Sequence, residues 1–156
     1  VWPGDALLLA VEWPVRTMRE RAKLSSEERQ KLWPILFWGS KFTHRDGNSS
    51  LIDATGALVE LFFKALKIPA DPQPQDCINQ NIPRADRIEL ARALVNGQDL
   101  EAYLGYANCR ICNKMLGSRD LTGWGFMWPE KAEHYILDHD VWTPGCSRLL
   151  AAVRTT

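Results

Sequence analysis

The chain has 156 residues, with 19 Lys and Arg against 19 Asp and Glu, 46% hydrophobic residues, 7 Trp, 4 Cys and 3 His. That length and apolar content can bury a core without disulfides, so the few cysteines read as metal ligands or buried thiols and not as a secreted disulfide framework. A formal charge of zero excludes the surplus of Lys and Arg on which nonspecific phosphate binding and adhesion to anionic membranes depend.

Residues 6–11 and 33–38 are the longest apolar runs, six residues each, far short of the ~20 that a membrane-spanning helix needs. Neither a charged region before the first run nor a small-residue cleavage site after it marks an export signal, so the chain reads as cytoplasmic, with no membrane partner. Asn48-Ser49-Ser50 fits the glycosylation pattern, but without an export signal it reads as a polar turn.

Taken in chain order, residues 14–23 and 25–38 predict helices. The second opens on Ser25-Ser26-Glu27-Glu28, a capping box in which hydroxyl and carboxylate satisfy each other's orphan backbone donors. Pro34 lies inside it and predicts a kink or a fresh start. Residues 44–50 form a polar Asp-Gly loop. A mostly buried helix follows over 51–67, with Leu51, Leu58, Phe62 and Leu66 on one face and Asp53, Glu60, Lys64 and Lys67 marking a narrow polar stripe. Four prolines in 68–83 predict an extended connector that carries Cys77 as an isolated thiol. Pro83 then starts a helix through Asn96, with Ile88, Ala91, Leu94 and Val95 inward, and a short helix is expected over 99–104. Residues 1–104 thus read as a helical domain.

The sharpest chemical signal comes next. Cys109 and Cys112 are separated by two residues, and after 21 more come His134 and His139 with four residues between them: Cys-x2-Cys-x21-His-x4-His, all within 31 residues. Zinc takes a tetrahedral set of thiolate and imidazole donors, and a Cys-x2-Cys knuckle brings two thiolates to one ion while its backbone amides point at their sulfurs. Pro129 and Glu130 suit the first turn of a helix that would present His134 inward and His139 from its last turn. Residues 120–128, with Gly123 and Gly125 near the middle, read as a hairpin closing the space between the two ligand pairs. Four protein donors close the coordination shell, so one structural Zn2+ is expected and not a catalytic ion with an open position. Cys146 is the alternative donor to one of the histidines.

Around these ligands the residues resemble a C-terminal module of small uncharacterised bacterial proteins. The resemblance lies in Gly105-Tyr106-Ala107-Asn108-Cys109-Arg110-Ile111-Cys112, Gly117-Ser118-Arg119-Asp120-Leu121-Thr122, Trp128-Pro129-Glu130, His134-Tyr135 and His139-Asp140-Val141. It covers ~40 residues and implies a zinc-binding module and a bacterial source, with no substrate. The chain departs from that pattern at Asn113, where Gly is usual, at Gly123-Trp124 for Asp-Gly, at Lys131-Ala132-Glu133 for Gly-Leu-Ala, and at Thr143 for Leu.

Trp-Pro occurs four times, at 2–3, 13–14, 33–34 and 128–129. Each reads as a helix entry with an aromatic packing anchor, and some of these tryptophans as exposed contacts for a partner. His44-Arg45-Asp46 lacks the glycine-rich loop and strand lysine of a kinase, and no nucleophile elbow, phosphate loop or dinucleotide fingerprint is present. From residue 105 onward there are six positive and five negative side chains, too even a balance for a DNA-reading finger.

The expected architecture is therefore mainly α, with a small zinc-bound β-hairpin-plus-helix lobe at 105–156 docked on residues 1–104 through Trp124, Phe126, Trp128 and Tyr135. The function expected by elimination is binding to another protein, as an adaptor, accessory or toxin-neutralising factor. A nucleic-acid-binding zinc finger is the alternative, and a zinc enzyme the third.

Overall fold

The structure is a computed structural model that describes residues 20–36 and 72–156. The loop at 44–50, the helix expected over 51–67, residues 14–19 and two of the four Trp-Pro pairs lie outside those residues. In chain order the elements are α1 (Ser26–Gln30), β1 (Trp33–Pro34), a 3-10 turn (Pro74–Cys77), α2 (Arg84–Val95), β2 (Gln98–Asn108), β3 (Met115–Gly123), β4 (Phe126–Pro129), α3 (Ala132–Asp138) and α4 (Pro144–Arg154). The strands form one sheet in the order β1-β4-β3-β2. Among the described residues this is a mixed α/β fold, and it corrects the expectation of a mainly α protein with a finger-like lobe. No helix among them is long and apolar enough to cross a membrane.

Two stretches carry the correction. The helix expected over 25–38 begins as its capping box requires, with the Ser25 hydroxyl accepting from the Glu28 amide at 3.1 Å, but it ends at Gln30. Trp33-Pro34 instead pairs in parallel with β4. The Trp33 amide donates to the Gly125 carbonyl at 3.0 Å and the Ile35 amide to that of Met127 at 3.1 Å. Only alternate residues of an edge strand face the ladder, so the donor that Pro34 lacks falls on the side away from β4. The consecutive apolar residues Leu32 to Leu36 are all buried, as a short core strand allows and an amphipathic surface helix does not.

The second stretch is 99–104, expected as a short helix and found inside β2. Its partner β3 supplies the ladder, with Gln98 opposite Thr122 and Ala102 opposite Arg119. Residues 20–23, expected to end a helix, are extended and add a parallel bridge from Arg21 to Asp99. Tertiary pairing here overrides the weak local preference for helix.

Elsewhere the expected elements are present, with shifted ends and one added helix. The helix expected from Pro83 runs over Arg84–Val95, though Arg87 and Leu90 are buried in it and Ile88 is only half-buried. The hairpin expected over 120–128 is β3–β4. Its two-residue turn, Trp124-Gly125, has φ of 52° and 80°, the paired positive values of a type I′ turn that matches strand twist. Pro129 closes β4 instead of opening a helix, and α3 starts after Lys131. Helix α4 was not anticipated, although Thr143-Pro144 is a capping pair: the Thr143 hydroxyl accepts from the Cys146 amide at 3.2 Å and donates to the Ile35 carbonyl.

One core joins these pieces: Ile35, Leu36, Leu90, Leu94, Leu121, Trp128, Ile136, Val141 and Leu149 all belong to it. Trp128 is fully buried and its indole donates to the Leu94 carbonyl at 3.1 Å. A Cβ on Gly97 would lie 2.5 Å from that ring, so the glycine makes the slot. Phe126 and Tyr135 are buried, whereas Trp124 at the hairpin turn is 41% exposed and its indole donates to the Thr156 hydroxyl at 3.3 Å. Trp33, the other described Trp-Pro tryptophan, is buried under the Arg148 guanidinium, 4.6 Å from its ring.

Candidate metal centre

The turn between β2 and β3 is the Cys109–Cys112 knuckle. The Cys109 amide donates to the Lys114 carbonyl at 2.7 Å and the Asn113 amide to the Cys109 carbonyl at 2.8 Å, closing the loop on itself. The Ile111 amide approaches the Cys109 sulfur at 3.4 Å. Asn113 has φ 64°, the left-handed region where glycine is easiest and Asn is the next most tolerant residue. That accounts for Asn at the position after the second cysteine. Cys109 is buried and Cys112 exposed.

Helix α3 delivers the histidines. His134 lies in its first turn and His139 follows its last residue with φ −123°. Asp140 then turns left-handed at φ 55°, which sends the chain back so that the Val141 amide reaches the Tyr135 carbonyl at 3.1 Å. The Nε2 atoms of the two histidines are 3.2 Å apart, and that of His134 is 3.2 Å from the Cys112 sulfur. The ligand atoms of Cys109, Cys112, His134 and His139 all lie within 4.8 Å of one another. The structure thus brings all four expected ligands together, close enough to hold one metal ion. Cys146, the alternative donor, is not in this group; it is fully buried at the start of α4.

Further residues hold this geometry, and of them the sequence pointed to Tyr135 alone, as a packing residue. The Asp138 carboxylate accepts from His134 Nδ1 at 2.7 Å; its signal was the i, i+4 spacing on one helix. The Tyr135 hydroxyl accepts from the Arg110 amide at 2.9 Å and so ties the knuckle to α3. Two arginines of α2 close the last turn of α3: Arg84 donates to the Leu137 carbonyl at 3.2 Å, and Arg87 to those of Ile136 at 3.1 Å and Val141 at 3.2 Å. Cations at a helix C-terminus satisfy its orphan carbonyls and offset its dipole. Arg87 is almost wholly buried, also donates to the Asn79 carbonyl, and lies 3.9 Å from the Asp140 carboxylate. From the connector, Ile78 pairs antiparallel with Val141, and the Asn79 amide donates to the Asp140 carbonyl at 2.9 Å. The segment after His139 is therefore fixed from two sides.

Burial acts on His134 and on the two thiols outside the group. Burial lowers the His134 pKa, against an upward pull from Asp138 and with a further downward push from His139, so the neutral, metal-binding form is favoured. Burial pushes the Cys77 thiol up to about 12, with Cys146 and Asp76 acting the same way. Burial likewise raises Cys146, opposed by its bonds to Thr143. Both are core thiols kept in the unreactive protonated form.

No family of known proteins, no curated protein and no solved structure matches the chain.

Proposed function

We propose that the site is a structural zinc centre and that the protein works without catalysis, by contact with another protein. The observation that carries the metal reading is the convergence of two sulfurs and two imidazole nitrogens from separate elements. Tetrahedral zinc, with bonds of about 2.0 Å to nitrogen and about 2.3 Å to sulfur, would separate two nitrogens by about 3.3 Å and a sulfur from a nitrogen by about 3.5 Å. The two separations of 3.2 Å lie close to those values. Four protein donors fill such a shell, so a bound substrate or water would have to displace one of them. Zinc's chemistry here is to cross-link: it would join the turn of the β2–β3 hairpin to the end of α3.

The contact reading rests on what that hairpin displays. Leu104 is fully exposed, Tyr106 is 72% exposed, and Tyr103 and Met115 stand beside them in exposed positions. Residues 102–108 contain no charged side chain. Between Ala102 and Ala107 the strand slips its register against β3, so this apolar run bulges from the edge of the sheet. Contiguous exposed apolar surface of this kind marks interaction sites, and tyrosine is enriched at binding hot spots.

The test combines metal analysis with capture of native complexes. The expected result is one zinc per chain, cobalt substitution giving the spectrum of a two-sulfur, two-nitrogen tetrahedron, and a captured partner that Leu104→Glu releases. A folded protein without metal, or capture unaffected by Leu104→Glu, would reject the corresponding half of the reading.

A further inference from the structure

The two histidines of the centre are not equivalent. His134 Nδ1 lies 2.7 Å from the Asp138 carboxylate, and the two side chains are only 9% and 16% exposed. A carboxylate can only accept, so this bond places the ring proton on Nδ1 and leaves the lone pair on Nε2. Nε2 is the atom that faces Cys112 and His139. Asp138 lies four residues after His134, one helical turn on, so packing of α3 fixes both partners at once. Among the described residues, no hydrogen bond reaches the other ring nitrogen of His139, which lies just beyond the helix end.

We infer that Asp138 is the positioning residue of this centre, holding His134 as its anchored imidazole and leaving His139 as the more exchangeable one. The inference rests on the metal reading and assigns within it a role to a residue that would not itself touch the ion. Carboxylate partners of metal-bound histidines fix the ring's tautomer and orientation and raise its basicity, and losing one typically weakens metal binding 10- to 100-fold.

The experiment is zinc affinity by chelator competition for the full chain, for Asp138→Asn and Asp138→Ala, and for His139→Ala, with thermal melting of each protein with and without zinc. Asp138→Ala is expected to bind zinc about 10- to 100-fold more weakly, with Asp138→Asn between it and the parent, while the metal-free proteins melt together. His139→Ala is expected to retain zinc, with a water completing the shell. Affinity within about twofold of the parent in both Asp138 variants, or an equal fall in melting temperature with and without zinc, would overturn the assignment by making Asp138 irrelevant or merely structural. Loss of all zinc from His139→Ala would overturn the order of the two histidines. If Asp138→Ala does not fold, the Asp138→Asn comparison decides. Failure of the parent chain to bind zinc would instead remove the metal reading, and this assignment with it.

Discussion

The cysteine half and the histidine half of the centre are built in different ways. Cys109 and Cys112 lie in the turn of an edge hairpin whose neighbouring strand residues, 102–108, are all exposed. His134 and His139 lie on and beside a helix whose Ala132, Tyr135, Ile136 and Leu137 are buried and whose last carbonyls are taken by Arg84 and Arg87. Core packing supplies most local stability, so the histidine half should depend less on a metal than the cysteine half, which reaches the core through Cys109, Ile111 and Leu116 alone. A metal joining them would lend the rigidity of the core to the more exposed of the two elements.

The strongest way to break that asymmetry is to remove the cross-link. Cys109→Ser, or chelation of the parent chain, is expected to cost several kcal/mol and to lower Tm by ~10 °C or more. Hydrogen exchange should rise over residues 102–116 and stay slow in α2. Equal acceleration in both places would show that the halves unfold together. Next in size is an attack on the packed half. Arg87→Met leaves the carbonyls of Ile136, Val141 and Asn79 without their donor, which should cost about 3–5 kcal/mol in denaturant unfolding. A loss below ~1 kcal/mol would mean that water or neighbouring groups replace the guanidinium.

Smaller still, Gly97→Ala puts a methyl group against the Trp128 ring and should cost about 1–3 kcal/mol by overpacking, read from the same unfolding curves. The smallest effect belongs to the exposed half. Leu104→Ser should leave folding stability within ~0.5 kcal/mol, because the side chain is already fully in solvent. A larger loss would show that Leu104 belongs to the fold and not to a contact surface.

The cluster of Cys109, Cys112, His134 and His139 was the most legible part of the sequence, because ligand chemistry imposes spacing: Cys-x2-Cys and His-x4-His stand out whatever fold surrounds them. The hairpin turn was legible through Gly125, at φ 80°, whereas Trp124 beside it takes a positive φ of 52° that its residue type does not announce. The sheet was much less so. Nothing in Asp99-Leu100-Glu101-Ala102 announces a strand; these residues become one because β3 offers a ladder, and a ladder is a property of two distant segments. Trp33-Pro34 misled for the opposite reason. A Trp-Pro pair is a good helix entry, and only the arrival of β4 beside it makes the pair an edge strand. Asp138 and Arg87, the supports of the centre, were hidden because charged residues on helices are ordinary until their partners are known.

Each ligand pair is also local along the chain. The knuckle is a single tight turn, the histidines belong to one short helix and its exit, and the whole set spans 31 of the 156 residues. Contacts of short sequence separation form early, because little chain must be ordered to make them. A nascent chain exposed as far as His139 already carries every donor, before α4 exists to pack beneath the sheet. If the site takes up an ion, its capture can therefore precede completion of the core.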